Sequence, residues 1–236
     1  MTYVEGFLIP CLAANKAAYI AHAEQMAVVF SGAGATRMVQ AWGEDVPDGK
    51  LNDLKQAVQA TPDEAILFSW MEFPDRAARD AAVAKSSESP RPAEVPFDRD
   101  RMIIAGFETI SEIGPGGAPG FIDAAILPVR TDEKQAYLAF AERIAVPFIE
   151  QGATRIVDAW GVAVPEGKLT DFHRATLREA DESVVYSWVE WPSRQVRDAA
   201  WDKLMKDERL NPGPDRPFDG KRMIFGGFTP IIDTSA

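Results

Sequence analysis

The sequence predicts an α+β protein of two ferredoxin-like βαββαβ halves, whose two four-stranded sheets face each other as a barrel or a sandwich. Three observations carry this. The chain repeats itself at an offset of 118 residues. Each copy reads strand, helix, strand, strand, helix, strand. The strand at 65–73 is apolar on both faces, with Ile66, Phe68, Trp70 and Glu72 on one and Leu67, Ser69, Met71 and Phe73 on the other. Helices cover one face of such a sheet, so the other face needs a partner sheet.

The repeat runs in order along the whole chain. Gly34-Ala35-Thr36-Arg37 returns as Gly152-Ala153-Thr154-Arg155, and Ala41-Trp42-Gly43 as Ala159-Trp160-Gly161. Val46-Pro47-Asp48-Gly49-Lys50-Leu51 returns as Val164-Pro165-Glu166-Gly167-Lys168-Leu169, and Phe68-Ser69-Trp70 as Tyr186-Ser187-Trp188. After the second helix the offset becomes 121, matching Pro96-Phe97-Asp98 to Pro217-Phe218-Asp219. Residues 114–120, rich in Gly and Pro, read as a linker. They divide the chain into repeat 1 at 1–113 and repeat 2 at 121–236.

Tyr3–Pro10 alternates and reads as a strand. Residues 14–31 read as a helix, because Tyr19, Ala23, Met26 and Phe30 share one face, as do Tyr137, Ala141, Ile144 and Phe148 in repeat 2. Pro147 is expected to kink the second of these helices. Gly34 and Gly152 suit the residue after a helix. Thr36–Gly43 reads as a strand, 47–50 as a turn and 50–60 as a short helix or an irregular excursion. A strand at 65–73, a helix at 75–85 and a strand at 102–110 complete the copy.

Composition narrows the function. The 236 residues carry a net charge of −11, with 25 Lys and Arg against 36 Asp and Glu. That balance argues against nucleic acid as a partner, since phosphate binding needs a basic face. No apolar run approaches the roughly 18–20 residues of a membrane span. The N-terminus lacks the marks of a leader, so a cytoplasmic protein is expected. Cys11 is the single cysteine, and His22 and His173 are the only histidines. No metal-ligand motif, haem attachment or Ser/His/Asp pattern is present, and no cofactor is expected. Gly32-Ala33-Gly34 follows a helix and does not fit a dinucleotide fingerprint.

Pro217-Phe218-Asp219-Gly220-Lys221-Arg222-Met223-Ile224, together with the Gly-x-x-Val-Pro-x-Gly-Lys segment, resembles the YbaA-like family of bacterial proteins, a domain of unknown function. Asp207-Glu208-Arg209-Leu210 is similar to a further segment of that family. Both copies share the resemblance, which covers nearly the whole chain. It implies a dimeric α+β barrel, here an intramolecular one in which repeat 1 pairs with repeat 2. Relatives of that fold include cofactor-free monooxygenases, isomerases, haem proteins and stress-response proteins, so the fold alone names no activity. Repeat 1 departs from the family pattern at Arg99-Asp100, where repeat 2 keeps Gly220-Lys221, and at Ser86–Pro90. Repeat 2 has Val162-Ala163 where repeat 1 keeps Glu44-Asp45.

Several residues qualify for chemistry. Glu72 and Glu190 stand at equivalent strand ends beside Trp70 and Trp188, and Glu5 and Asp123 at equivalent places in the first strands. A carboxylate among aromatic rings has its pKa raised by desolvation and can transfer protons. Equally, each can pair with a basic neighbour. Glu72 and Glu190 are the candidate catalytic pair. Arg37 and Arg155 can hold a ligand carboxylate, or an internal one. Trp42, Trp160, Trp70 and Trp188 can line an apolar pocket or fill the core. With Glu5 and Asp123, these six form the candidate binding set. Arg76, Arg79, Arg194 and Arg197 read as solvated helix faces. His22, His173 and Cys11 read as surface or packing residues. The expected function is binding of a small molecule in or beside the barrel. The alternatives are a cofactor-independent enzyme of the monooxygenase or isomerase kind, and a structural or stress-related protein without ligand.

Overall fold

The computed structural model describes residues 2–87, 94–211 and 216–234. Repeat 1 comprises β1 (Tyr3–Leu12), α1 (Lys16–Ala33), β2 (Arg37–Asp45), the short α2 (Leu54–Ala57), β3 (Glu64–Phe73), α3 (Arg76–Ser87) and β4 (Ile103–Ile113). Repeat 2 comprises β5 (Phe121–Arg130), α4 (Lys134–Glu150), β6 (Arg155–Ala163), α5 (Phe172–Ala175), β7 (Glu182–Trp191), α6 (Arg194–Leu204) and β8 (Ile224–Asp233). The Ser86–Pro90 stretch leaves the described residues after Ser87.

Local chemistry explains the element ends. β1 runs through Pro10, which faces Ile66 of β3 while the β4 pairing stops at Leu8. The Pro10 carbonyl accepts from Asp98 N at 3.3 Å. Its missing N–H therefore falls on the side where no ladder is needed. Gly34 ends α1 with φ +114°, a left-handed cap that costs a glycine little. Pro147 lies near the end of α4, which continues to Glu150. The excursion after β2 resolves into α2, capped by Asp53 accepting from Gln56 N at 2.7 Å.

The eight strands close into one barrel in the order β1-β3-β2-β8-β5-β7-β6-β4, all paired antiparallel. Each repeat contributes the ferredoxin-like order with its first and third strands central. The repeats meet at two seams, β2 with β8 and β4 with β6. Both seams carry register shifts, which give the local bending that closure needs. The result is a single barrel rather than two stacked sheets.

Alternation along the strands divides their side chains between the barrel interior and the outer face. Ile66, Phe68 and Trp70 point inward with Val184, Tyr186 and Trp188 of repeat 2, forming one core shared by both repeats. The Phe68 and Tyr186 rings stack at 4.3 Å, and Trp70 and Trp188 lie 4.5 Å apart. All four are at most 1% exposed, so the barrel axis is occupied by side chains. Leu67, Met71 and Phe73 point outward under α1 and α3 in a separate cluster belonging mainly to repeat 1. Two further clusters do the same for repeat 2.

Candidate functional site

The candidate residues occupy three places. The first is one end of the barrel interior. Arg37 starts β2, Arg155 starts β6, and Glu72 and Glu190 lie near the ends of β3 and β7, so all four point inward at the same mouth. Arg37 donates to both oxygens of Glu190 at 2.8 and 3.2 Å. Arg155 donates to both oxygens of Glu72 at 2.7 and 2.9 Å, and to Glu190 at 3.1 Å. Trp70 Nε1 donates to Glu72 at 2.9 Å, and Trp188 Nε1 to Glu190 at 3.0 Å. Outside them Asp233 accepts from Arg37 at 2.9 Å and Glu112 from Arg155 at 2.8 Å. Every oxygen of Glu72 and Glu190 is thus engaged. The four central residues are no more than 7% exposed. A buried charge without partners is costly, and this arrangement leaves none.

The second place is outside the barrel, beneath the second helix of each repeat. Glu5 is 2% exposed and pairs closely with Arg79 of α3. Burial pushes its carboxyl above the ordinary range against the pull of Arg79. Asp123 accepts from Arg197 at 2.8 Å and from Trp191 Nε1 and Trp201 Nε1 at 3.0 and 2.8 Å. Arg79 and Arg197 are therefore not purely solvated, since Arg79 reaches inward to the buried Glu5 and Arg197 to the half-buried Asp123. The acids that repeat 2 lacks are accounted for here. Asp45 accepts from Arg197 at 3.3 Å and Glu44 from Arg194 at 3.2 Å, so both tie repeat 1 to α6. Trp42 and Trp160 stand apart from Trp70 and Trp188, on the outer face, under Lys16 and Lys134 at 4.9 and 5.0 Å. The fourfold tryptophan set thus divides between interior and exterior.

The third place contains none of the candidate site residues. Between α1 and the outer face of the repeat 1 sheet lies a cavity of about 100 Å3, lined by Tyr19, His22, Gln40, Met38, Met71 and other apolar side chains. A second of about 100 Å3 lies at the equivalent place under α4, lined by Tyr137, Phe140, Asp158, Ser187 and apolar neighbours. Each has a polar couple. Tyr19 donates to Gln40 Oε1 at 2.5 Å, and Tyr137 to Asp158 Oδ1 at 2.6 Å. Ser69 Oγ lies wholly buried next to the first couple without a well-formed hydrogen bond. Burial pushes the Asp158 carboxyl up, opposed by its bonds from Tyr137 and Ser187. It pushes the Tyr137 hydroxyl well up too. Burial and the charge of Arg99 hold the His22 imidazole below its ordinary value, hence neutral at pH 7.

One sequence signal pointed here. In both repeats the helix tyrosine precedes a polar residue by 21 positions, and that residue interrupts an otherwise apolar outer strand face (Met38, Gln40, Trp42; Ile156, Asp158, Trp160). Cys11 is fully buried and its thiol is pushed up to about 11 by burial, which leaves it unreactive. His173 starts no polar couple of this kind and sits on α5.

A family model described as Protein of unknown function (DUF1428) matches residues 2–99 and again residues 120–220. The uncharacterized protein YbaA of Escherichia coli K12 is 50% identical over 114 residues, which are 48% of this chain and 97% of YbaA. YbaA of Shigella flexneri gives the same values. Among solved structures, a candidate monooxygenase of Fusobacterium nucleatum superposes with a TM-score of 0.56 at 11% identity, covering 98% of this chain and 93% of that one. An anthrone oxidase-like protein superposes with a TM-score of 0.56 at 12% identity, covering 98% and 92%. These likenesses show the shared fold.

Proposed function

We propose, for a chain that belongs to the Protein of unknown function (DUF1428) family, that it binds small apolar molecules bearing one hydrogen-bonding group in the cavities beneath α1 and α4. The observation that carries this is the recurrence of an equivalent cavity in two diverged repeats, each with a helix tyrosine donating to a polar strand residue. An apolar pocket with one or two fixed polar groups is the usual build of a ligand site. At about 100 Å3 each cavity is two-thirds of the roughly 150 Å3 that encloses benzene, and because both are open at the mouth a ring can enter with part of it outside. The tyrosine oxygen can still accept, and the Gln40 amide can still donate.

This reading moves the site away from Glu72 and Glu190. Their place is in a quartet with Arg37 and Arg155 that holds the two repeats in register. The binding set is likewise reassigned: Trp42 and Trp160 act in packing of the outer face, and Glu5 and Asp123 in seating the second helices.

A second reading has its own support in repeat 2. Asp158 is an ionisable group in a cavity, raised by burial and hydrogen-bonded to a tyrosine. Such a couple can exchange a proton with a bound ligand without a cofactor. The fold neighbours described as a candidate monooxygenase and as anthrone oxidase-like are in keeping with that enzyme reading.

Calorimetric titration with phenol and toluene tests the binding. They share a ring and differ in one hydroxyl. Phenol is expected to bind about tenfold more tightly, the size of one hydrogen bond. The double variant Ala23→Leu and Ala141→Leu, which fills both cavities, should abolish binding. Equal affinity for the two, or undiminished binding in the filled variant, overturns the assignment.

A further inference from the structure

The segments that most resemble a family motif reach the cavities above only through Phe218 and Met223. They meet elsewhere. The turn Pro47–Asp53 of repeat 1 and residues 220–225 of repeat 2 line a cleft of about 440 Å3 at the β2–β8 seam. Neither repeat contains this cleft alone. Its backbone is tightly drawn: a side chain at Gly49 would place its Cβ 1.9 Å from Asn52 O. Asn52 secures the two walls to each other. Its Nδ2 donates to Ala175 O at 2.8 Å and to Arg222 O at 2.9 Å, crossing from repeat 1 to repeat 2. Its Oδ1 is buried without a partner.

The charges in the cleft are unequally spent. Asp48 accepts from Lys55 at 2.8 Å. Asp53 accepts from Gly49 N at 3.0 Å and Gln56 N at 2.7 Å. Those bonds hold its carboxyl below the usual range, and so ionised and occupied. Lys50 and Lys221 form no ion pair among the described residues, in a chain of net charge −11. Between them the wall is apolar, and it is exposed. Leu51 is 54% and Phe225 51% exposed, with the half-buried Met223 adjoining and Ile224 buried behind them. Two lysines outside any close ion pair, Lys221 with the Asp219 carboxylate in its neighbourhood, beside an exposed apolar surface match an anion with an apolar body.

We propose that this cleft binds a small organic acid with an apolar body, its acid group taken by Lys50 and Lys221 and its body laid against Leu51, Met223 and Phe225. A hydrogen-bond donor on the ligand would satisfy Asn52 Oδ1. The reciprocal seam keeps Lys168 and the exposed Leu169 but lacks the amide and the second lysine. Thr170 replaces Asn52 and bonds only to Ala57 O, and Arg99-Asp100 replaces Gly220-Lys221. Among the described residues the chain thus carries one such cleft, built from the family-like turn of repeat 1 and the family-like strand entry of repeat 2.

Amide NMR on the full chain tests this, with hexanoate as probe and hexanol as its uncharged counterpart. Hexanoate should shift the signals of Gly49, Lys50, Asn52 and Lys221, and hexanol should bind at least about tenfold more weakly, as loss of a charge-assisted hydrogen bond implies. The double variant Lys50→Gln and Lys221→Gln should bring hexanoate down to the hexanol level. Both lysines are exposed, so the variant keeps its fold. Lys168→Gln, on the reciprocal turn, should change nothing. Equal binding of the two probes, an unaffected double variant, a loss in Lys168→Gln, or hexanoate shifts confined to Met38 and Met71 under α1 would each overturn the proposal. The last result would leave the helix cavities standing as ligand sites, and failure of phenol there does not touch this cleft.

Discussion

Arg37 gives its two-pronged hydrogen bond to Glu190 of the other repeat, at 2.8 and 3.2 Å, although its cross-strand neighbour is Glu72 of its own repeat. Arg155 mirrors this, facing Glu190 in register and bonding both oxygens of Glu72. The two-pronged bonds of the quartet therefore join the repeats, while Arg155 also reaches Glu190 of its own repeat at 3.1 Å. The quartet's charges are buried, so the pairs contribute specificity of pairing more than net stability.

Removing one member should cost much. Glu190→Gln leaves Arg37 and Arg155 facing a neutral group inside the barrel mouth. Denaturant unfolding should show a loss of about 3–5 kcal/mol, the usual cost of breaking a buried pair from one side. The paired change Arg37→Met with Glu190→Leu should recover most of that loss. A loss below about 1 kcal/mol for the single variant would mean that water already reaches the quartet.

A single repeat should not stay single. Repeat 2 alone would expose Tyr186, Trp188 and Glu190, now covered by repeat 1. It retains Arg155 and Glu190, so two copies can rebuild the quartet by symmetry. Sedimentation of residues 120–236 should give a dimer, and Glu190→Gln should weaken it. A stable monomer of repeat 2 would show that the shared core is not needed for folding.

Asp158 should leave a mark on the pH dependence of stability. Its folded pKa is raised by burial, with Tyr137 and Ser187 as its partners. The native state then holds a proton that the unfolded chain releases near the ordinary carboxylate value of about 4. The stabilisation is complete below that value and is lost as pH rises through the folded pKa. Asp158→Asn, matching the amide at Gln40, should remove this loss. The difference in stability between variant and parent should grow in the variant's favour as pH rises from the unfolded pKa to the folded one, by about 1.4 kcal/mol for each pH unit crossed. A constant difference from pH 4 to 8 would show that Asp158 ionises freely in the folded state.

How much of this the sequence revealed follows from what kind of physics sets each feature. The repeat and the element order lie within one copy and are carried by local periodicity. That β3 is apolar on both faces and needs a partner sheet is legible in the same way, whereas which face turns inward, and whether Glu72 and Glu190 do chemistry or pair with a basic neighbour, stays open in the sequence. What the sequence hid depends on closure. That Arg37 would reach across to Glu190 requires knowing that β2 sits beside β8. The same closure brings Pro47–Asp53 to Gly220–Phe225, segments about 170 residues apart. The helix cavities were hidden for another reason. Gln40 and Asp158 differ in type, so their shared role appears only when each is seen under its tyrosine. Trp42 and Trp70 resemble each other in sequence, yet strand alternation sends them to opposite faces.

The placement of the ligand sites beside the barrel is checked most directly by methionine-methyl NMR during a phenol titration. Met26, Met38, Met71 and Met102 line the cavity under α1, whereas Met205 is 76% exposed and remote from it. Phenol should move the first four signals and leave Met205 unmoved, while the indole signals of Trp70 and Trp188 inside the barrel stay in place. Shifts of Trp70 and Trp188 with the four methionines silent would contradict it and return the site to the barrel interior.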